Sequence, residues 1–141
     1  MTLDEAVIRA WCSMVSRPLL VEHISPRGTP YLDRYFVAGW NPKTRQPGPS
    51  LFLHHFLGSD PDGAVHSHPW EFGLSLILVG RYREERCLDD GAKVVREFGP
   101  GDVNVILWTD RHRIELLSAD VWSLFLTGPT VQSWNFSPVC R

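Results

Sequence analysis

The chain has 141 residues, 43% of them hydrophobic, and a formal net charge of −2 at neutral pH. This length supports one hydrophobic core, and the scattered positions of the 14 basic residues argue against a nucleic-acid partner. The longest apolar run, residues 74–79, is far too short to cross a bilayer, so we expect no membrane segment.

Signals of an amphipathic helix open the chain. Thr2 and Glu5 have the spacing of a capping box, and apolar residues recur at helical intervals as far as Met14. We therefore predict a helix over about residues 3–15, which ends before Pro18 and packs against the rest of the protein.

Most of the remaining chain has the pattern of short strands. The predicted strands, separated by turn residues, cover residues 19–23, 31–38, 51–57, 103–108, 114–117 and 121–127. A proline-rich loop at residues 41–49 is expected at the mouth of a pocket. His54 and His55 are adjacent on one strand and point to opposite faces, so at most one faces an interior. We expect a structural role for them, with a substrate contact by His54 as the alternative.

Three further histidines have a spacing that favours a metal site. His66 and His68 are separated by one residue, so an extended segment would direct both to the same face. His112 opens a later strand, eleven residues after Gly101 in a turn. Imidazoles from neighbouring strands can converge on one divalent metal and leave coordination positions open. A histidine pair alone arises often by chance, so the later turn and His112 carry this prediction.

The segment after His68 contains candidates for the same pocket. Glu71 and Gly73 share strand parity and are expected to face inward, with Glu71 as a ligand, a catalytic group or a solvated turn residue. If the same parity continues, Arg81 reaches the pocket, where its guanidinium could bind a substrate carboxylate or phosphate. The alternative for Arg81 is a solvated strand. Trp70 either lines the pocket or packs in the core.

The other face of this strand is apolar. Leu74, Leu76 and their neighbours form a face that must be covered, by the helix or by a second subunit, and we expect a homodimer.

The chain has an odd number of cysteines, and they are widely spaced: Cys12, Cys87 and Cys140. This pattern predicts free thiols in a reducing, cytoplasmic compartment.

From His66 to Gly128 the chain resembles the two-motif signature of the cupin superfamily. The first motif has two histidines separated by one residue and a glycine twelve residues after the second, which is Gly80 here. Gly101, Asp102 and His112 match the second motif. The position of the usual glutamate ligand, five residues after His68, is Gly73. The proline and second glycine of the second motif are also replaced, by Leu107 and Thr109.

The resemblance implies an all-β fold, the cupin double-stranded β-helix or jelly-roll barrel, with the amino-terminal helix added. It implies one domain, with the helix at about 3–15, the barrel at about 19–128 and a docked tail at 129–141. It also implies one divalent metal bound by His66, His68 and His112. This three-histidine set resembles the thiol dioxygenase branch of the cupins, unless Glu71 substitutes for the missing glutamate.

The same resemblance implies an enzyme that acts on a small polar molecule. Iron(II) is the expected cofactor, with Zn²⁺, Ni²⁺, Mn²⁺ and Cu²⁺ as alternatives, and a non-haem iron oxygenase or dioxygenase is the leading function. Two alternatives stay open. One is a metal-dependent isomerase, epimerase or lyase in which Glu71 or His54 moves protons. The other is a cupin that binds a small molecule without catalysis.

Overall fold

A computed structural model describes residues 2–39, 48–60, 65–137 and residue 140. The described residues form one α-helix, a short 3-10 helix (Pro26–Gly28) and eleven strands: α1 (Leu3–Ser16), β1 (Leu20–Ile24), β2 (Leu32–Ala38), β3 (Ser50–Phe56), β4 (Val65–Ser67), β5 (Phe72–Val79), β6 (Tyr82–Cys87), β7 (Lys93–Phe98), β8 (Val103–Leu107), β9 (Arg111–Leu116), β10 (Val121–Thr127) and β11 (Asn135–Ser137). Most of the loop predicted at residues 41–49 lies outside the described residues.

The strands form two antiparallel sheets. The strand order is β1-β2-β3-β10-β5-β8 in the first sheet and β11-β4-β9-β6-β7 in the second. Consecutive strands pair in β1-β2-β3 and β6-β7, whereas the other neighbours, such as β3 with β10 and β4 with β9, come from distant parts of the chain. The prediction of an all-β fold with one amino-terminal helix is confirmed. The sheets extend past residue 128, because β11 in the predicted tail pairs with β4.

The amino-terminal helix α1 packs on the outer face of the first sheet. Its capping box is present, since the backbone N–H of Glu5 donates to Thr2 Oγ1 over 3.2 Å and Glu5 Oε2 accepts from the Thr2 N–H over 2.8 Å. Cys12 of the helix is fully buried in a cluster with Leu53, Val79 and Trp122. The helix therefore covers part of the apolar face. Within the described ranges, no helix is both long and apolar enough to cross a membrane.

Buried and half-buried side chains alternate along β5 as predicted, but this alternation does not continue beyond the strand. Gly73 and Ser75 are buried, whereas Leu74 and Leu76 on the other face are half-buried. Gly80 then adopts a φ of 83°, and the chain turns from the first sheet into the second. On β6 the buried residues include Tyr82 and Glu84, while Arg81 just before the strand is exposed. The expected inward orientation of Arg81 is therefore wrong, because the turn resets the alternation.

The prediction of three free thiols is wrong for two of them. Cys87, at the end of β6, and Cys140 in the tail form a disulfide across 53 residues of sequence, with their Cα atoms 5.3 Å apart. The tail reaches Cys87 because β11 joins the second sheet. Cys12 is a buried free thiol, and burial raises its pKa to about 11. Free thiols were the basis for expecting a reducing compartment, so the disulfide removes that support. Cytoplasmic localisation stays a prediction.

Removal of the disulfide should destabilise the protein. A cross-link that closes a loop of this size restricts the unfolded chain, and its loss typically costs about 2–4 kcal/mol. We expect Cys87→Ser to lower the free energy of unfolding by this amount, measured by urea denaturation under oxidising conditions. Cys140→Ser should cost the same, and the double variant no more than either single one. Equal stability of wild type and Cys87→Ser would contradict the disulfide.

Candidate metal centre

The three predicted histidine ligands lie together between the sheets. His66 on β4 is the strand partner of His112 on β9, and His68 follows β4 by one residue. The ring centroids are 4.8 to 5.0 Å apart in all three pairs. One ligand nitrogen from each residue lies within 4.8 Å of the others. Among the described residues, these three form the one group of metal-binding side chains. Antiparallel pairing of β4 with β9 thus brings distant motifs together.

The donor set fits a divalent metal ion. The Nε2 atoms of His68 and His112 are 2.8 Å apart, and two lone pairs at that separation repel unless a cation or proton lies between them. Burial lowers the pKa of His66 to about 4 and that of His68 well below its ordinary value. Both imidazoles are therefore neutral at pH 7, with lone pairs available to a metal.

A buried carboxylate orients His112. Glu84 on β6 is 1% exposed, and its Oε1 accepts a hydrogen bond from His112 Nδ1 over 2.5 Å. Burial by itself would raise the pKa of Glu84, but the bond from His112, the amide of Asn104 and the charge of Arg86 lower it to about 2. Glu84 is thus ionised, the proton of His112 resides on Nδ1, and Nε2 is left as the ligand atom.

A second buried carboxylate lies behind His66. Asp60 is 7% exposed and accepts hydrogen bonds from the backbone N–H of Ile114, over 2.5 Å, and from the Tyr31 hydroxyl. Its Oδ2 is 3.7 Å from His66 Nδ1, so it acts on that ring mainly through its charge. Two of the three imidazoles therefore have a carboxylate close to Nδ1.

Sequence reasoning missed both carboxylates. Glu84 belongs to a charged run that was interpreted as solvated, although the alternation of Tyr82, Glu84 and Arg86 on one face of β6 was a usable signal. Asp60 lies in a loop, and nothing in its local sequence distinguishes it from a turn residue. Its position depends on the contact with β9, which only the tertiary fold creates.

The histidines line a cavity of about 510 Å³ between the sheets. Two residues predicted to bind substrate are in its wall. Trp70 is 9% exposed and stacks on His68 with ring centroids 5.4 Å apart. His54 is 4% exposed and stacks on Phe125 at 4.9 Å, whereas His55 points to the other face and bonds to Asp120. Burial holds the pKa of His54 well below its ordinary value, so this ring is neutral.

The other two predicted site residues are not brought to this cavity. Glu71 is exposed and is not in the group of three histidines. Its backbone N–H donates to Pro129 and its carbonyl accepts from Trp108, which places the side chain at the surface. Arg81 is also exposed, with its guanidinium over Gly99. The roles predicted for Glu71 and Arg81 stay predictions, and their placement gives them no support.

The sequence matches no protein-family model and no curated protein. Solved structures do share the fold. A structure of Fe(II)-HppE with the alternative substrate (S)-1-HPP superposes with a TM-score of 0.61 at 9% identity, over 79% of this chain and 57% of that chain. The S161A mutant of Bacillus subtilis oxalate decarboxylase OxdC superposes with a TM-score of 0.59 at 18% identity, over 81% of this chain and 29% of that chain.

A further structure, from work on the Mn(II) centres of the Bacillus subtilis oxalate decarboxylase, superposes with a TM-score of 0.57 at 17% identity. It is matched over 79% of this chain and 29% of that chain. This chain thus spans little more than half of HppE and under a third of the decarboxylase. Identities this low establish the fold alone. The chain has the all-β, cupin-like fold that its two motifs predicted.

Proposed function

We propose that this protein is a metal-dependent cupin enzyme that binds one divalent ion through His66, His68 and His112. The observation that carries the proposal is the convergence of three imidazoles in the wall of a cavity, with the carboxylate of Glu84 behind one of them. The cavity volume of about 510 Å³ is typical of small-molecule sites, so the substrate is a small molecule. The two sheets are proposed to close into a double-stranded β-helix barrel around it.

Iron(II) is the proposed ion and an oxygenase the proposed enzyme class. Three neutral protein ligands leave coordination positions open, and iron(II) bound there would supply the activation of dioxygen. HppE, which has the same fold, is an Fe(II) protein, and the decarboxylase has Mn(II) centres. Mn²⁺, Zn²⁺, Ni²⁺ and Cu²⁺ are the alternatives, because imidazole also suits several of these ions.

The space beside Gly73, the position of the usual cupin glutamate, is filled by an aromatic ring. A Cβ atom at Gly73 would lie 2.7 Å from the ring of Phe125. That ring packs among the aromatic residues of the cavity, including Trp70. A glutamate at position 73 would have to displace it. This packing supports the proposed likeness to the three-histidine, thiol dioxygenase branch.

The protein's own residues would prepare the site in three ways. Glu84 fixes the proton of His112 on Nδ1, so that Nε2 faces the metal position. Asp60 favours the same arrangement at His66 through its charge. Trp70, Phe125 and Trp134 surround His68 with ring-centroid distances of 4.9 to 6.4 Å and hold its ring in place.

One observation favours a second function. His54 is a neutral, buried imidazole in the cavity wall; to take a proton from a bound substrate, as an isomerase, epimerase or lyase would require, its Nε2 would first have to lose the hydrogen bond from Arg34. The metal would then act only as a Lewis acid. A small-molecule-binding cupin without catalysis is the remaining alternative.

A homodimer is also proposed. Val103, Val105 and Leu107 of edge strand β8 are about half exposed. A second copy that pairs along this edge would cover them.

Neutralising Glu84 should weaken metal binding. Glu84→Gln removes the charge that fixes the His112 tautomer, and loss of such a partner typically costs about 10–100-fold in metal affinity. The measurement is metal content by elemental analysis after anaerobic equilibration with buffered free iron(II). Glu85→Gln on the same strand is the matched control, because Glu85 faces Lys93 and Arg113 instead. Equal affinity of Glu84→Gln and wild type would contradict the proposed role.

Nitric oxide, a stable substitute for dioxygen, tests the oxygenase proposal before the substrate is known. We expect the iron(II)-loaded protein to bind about one nitric oxide per iron, with the electron paramagnetic resonance signal of an iron nitrosyl, since three protein ligands leave positions open. His112→Ala should lose both iron and signal. Iron that is bound but inaccessible to nitric oxide would contradict an oxygenase and favour the isomerase or lyase.

A further inference from the structure

One arginine lies in the wall of the cavity that contains the histidines. Arg34 on β2 has only 12% of its side chain exposed and lines the cavity. Its guanidinium carbon is 5.3 Å from the ring centroid of Phe52 and 5.8 Å from that of Trp70. Trp70 in turn stacks on His68. The same tryptophan therefore contacts both the buried positive charge and one of the proposed metal ligands.

The guanidinium of Arg34 keeps donors available. Nε donates to His54 Nε2 and Nη1 donates to Glu22 Oε2, both over 3.3 Å, which is long for hydrogen bonds. No described residue accepts from Nη2. An arginine has five N–H donors, so the Nη1 and Nη2 edge can still bind two oxygens of one acceptor. Glu22 is a weak counter-charge, since 47% of its side chain is exposed. Because the buried guanidinium of Arg34 is only weakly paired, a further anionic partner would stabilise it.

The rest of the cavity wall is mostly apolar. Besides Trp70 it includes Leu32, Phe56, Ile106, Phe125 and Trp134. Arg34 is the one lysine or arginine among the described residues of this wall. The lining thus suits a ligand with an apolar body and one charged end, which is more hydrophobic than the small polar molecule expected from the sequence.

We propose that the cavity binds an organic carboxylate with an apolar body of about the size of a phenyl group. Its carboxylate pairs with the free edge of Arg34, and its body packs on Trp70 and Phe125 towards the histidines. A monoanion is favoured over a dianionic phosphate because Glu22 already shares the guanidinium and the described wall has no second lysine or arginine. That this ligand is also the substrate rests on the function proposed above.

Binding of 3-phenylpropanoate and its uncharged amide, 3-phenylpropanamide, tests the proposal. Titration calorimetry on the full chain should show the acid binding at least about tenfold more tightly than the amide, the typical strength of a charge-assisted hydrogen bond. Arg34→Gln should abolish this preference, because it weakens binding of the acid far more than binding of the amide, whose oxygen loses only an uncharged acceptor's hydrogen bond. Arg83→Gln, at an exposed arginine paired with Glu97, is the matched control and should keep the preference. Acetate should bind at least about tenfold more weakly than the acid, because it lacks the apolar body.

Three results would overturn the proposal: equal binding of acid and amide, an unchanged preference in Arg34→Gln, or acetate as tight as the acid. If Arg34→Gln does not fold, as judged by thermal melting, Arg34→Lys decides. Lysine keeps the charge but not the planar two-donor edge, so a weaker acid preference supports the proposal and an unchanged one overturns it.

Metal-free and metal-loaded protein separate this proposal from the proposed function. An acid preference that needs the metal but not Arg34 would place the carboxylate on the metal, which overturns the inference and leaves the metal site intact. An acid preference that needs Arg34 in protein unable to bind any metal would support the inference and contradict the metalloenzyme.

Discussion

The short hydrogen bond between His112 and Glu84 is the interaction on which the site depends. Both side chains are 1% exposed, so the carboxylate is ionised in a place where an isolated charge would be very costly. Asn104 and Arg86 make that charge tolerable by donating to the same oxygen. Arg86 also donates to the carbonyl of Val105 on β8. The network therefore links β6 of the second sheet to β8 of the first while it sets the tautomer of a ligand.

The cavity joins this polar centre to an apolar wall. Trp70 contacts His68 on one side and Arg34 on the other, so aromatic packing positions both the candidate metal ligand and the buried guanidinium. Phe125 occupies the space next to Gly73 where a fourth ligand would otherwise reach. The same packing would limit the proposed metal to its three histidine ligands here and would contact the apolar body of the proposed ligand. Substrate choice and metal coordination would then depend on one set of aromatic side chains.

The sequence predicted the parts of the site that follow a local period. His66 and His68 share a face because strand side chains alternate, and the cupin spacing pointed to His112. The helix was predicted because its capping box is local. Glu84 and Arg34 were missed because their positions depend on which sheet each strand joins. When the alternation of β5 is extended past Gly80, it predicts that Arg81 faces the pocket. This prediction fails because the turn at Gly80 moves the chain to the other sheet.

The disulfide shows the same limit over a longer distance. Spacing of cysteines carries no information on pairing across 53 residues, and Cys140 reaches Cys87 only because β11 pairs with β4. Asp60 likewise depends on a contact with β9. Which side chains of a strand share a face can therefore be predicted from the sequence. Which distant segments pair with each other cannot.

X-ray absorption at the iron edge of the anaerobically loaded protein tests the central claim most directly, because it reports the ligands of the bound ion. We predict a single class of iron with nitrogen and oxygen neighbours, the scattering pattern of three imidazoles and no sulfur. His68→Ala should show two imidazoles if iron is retained. A sulfur ligand, fewer than three imidazoles in the wild type, or iron at undefined surface positions would contradict the three-histidine centre.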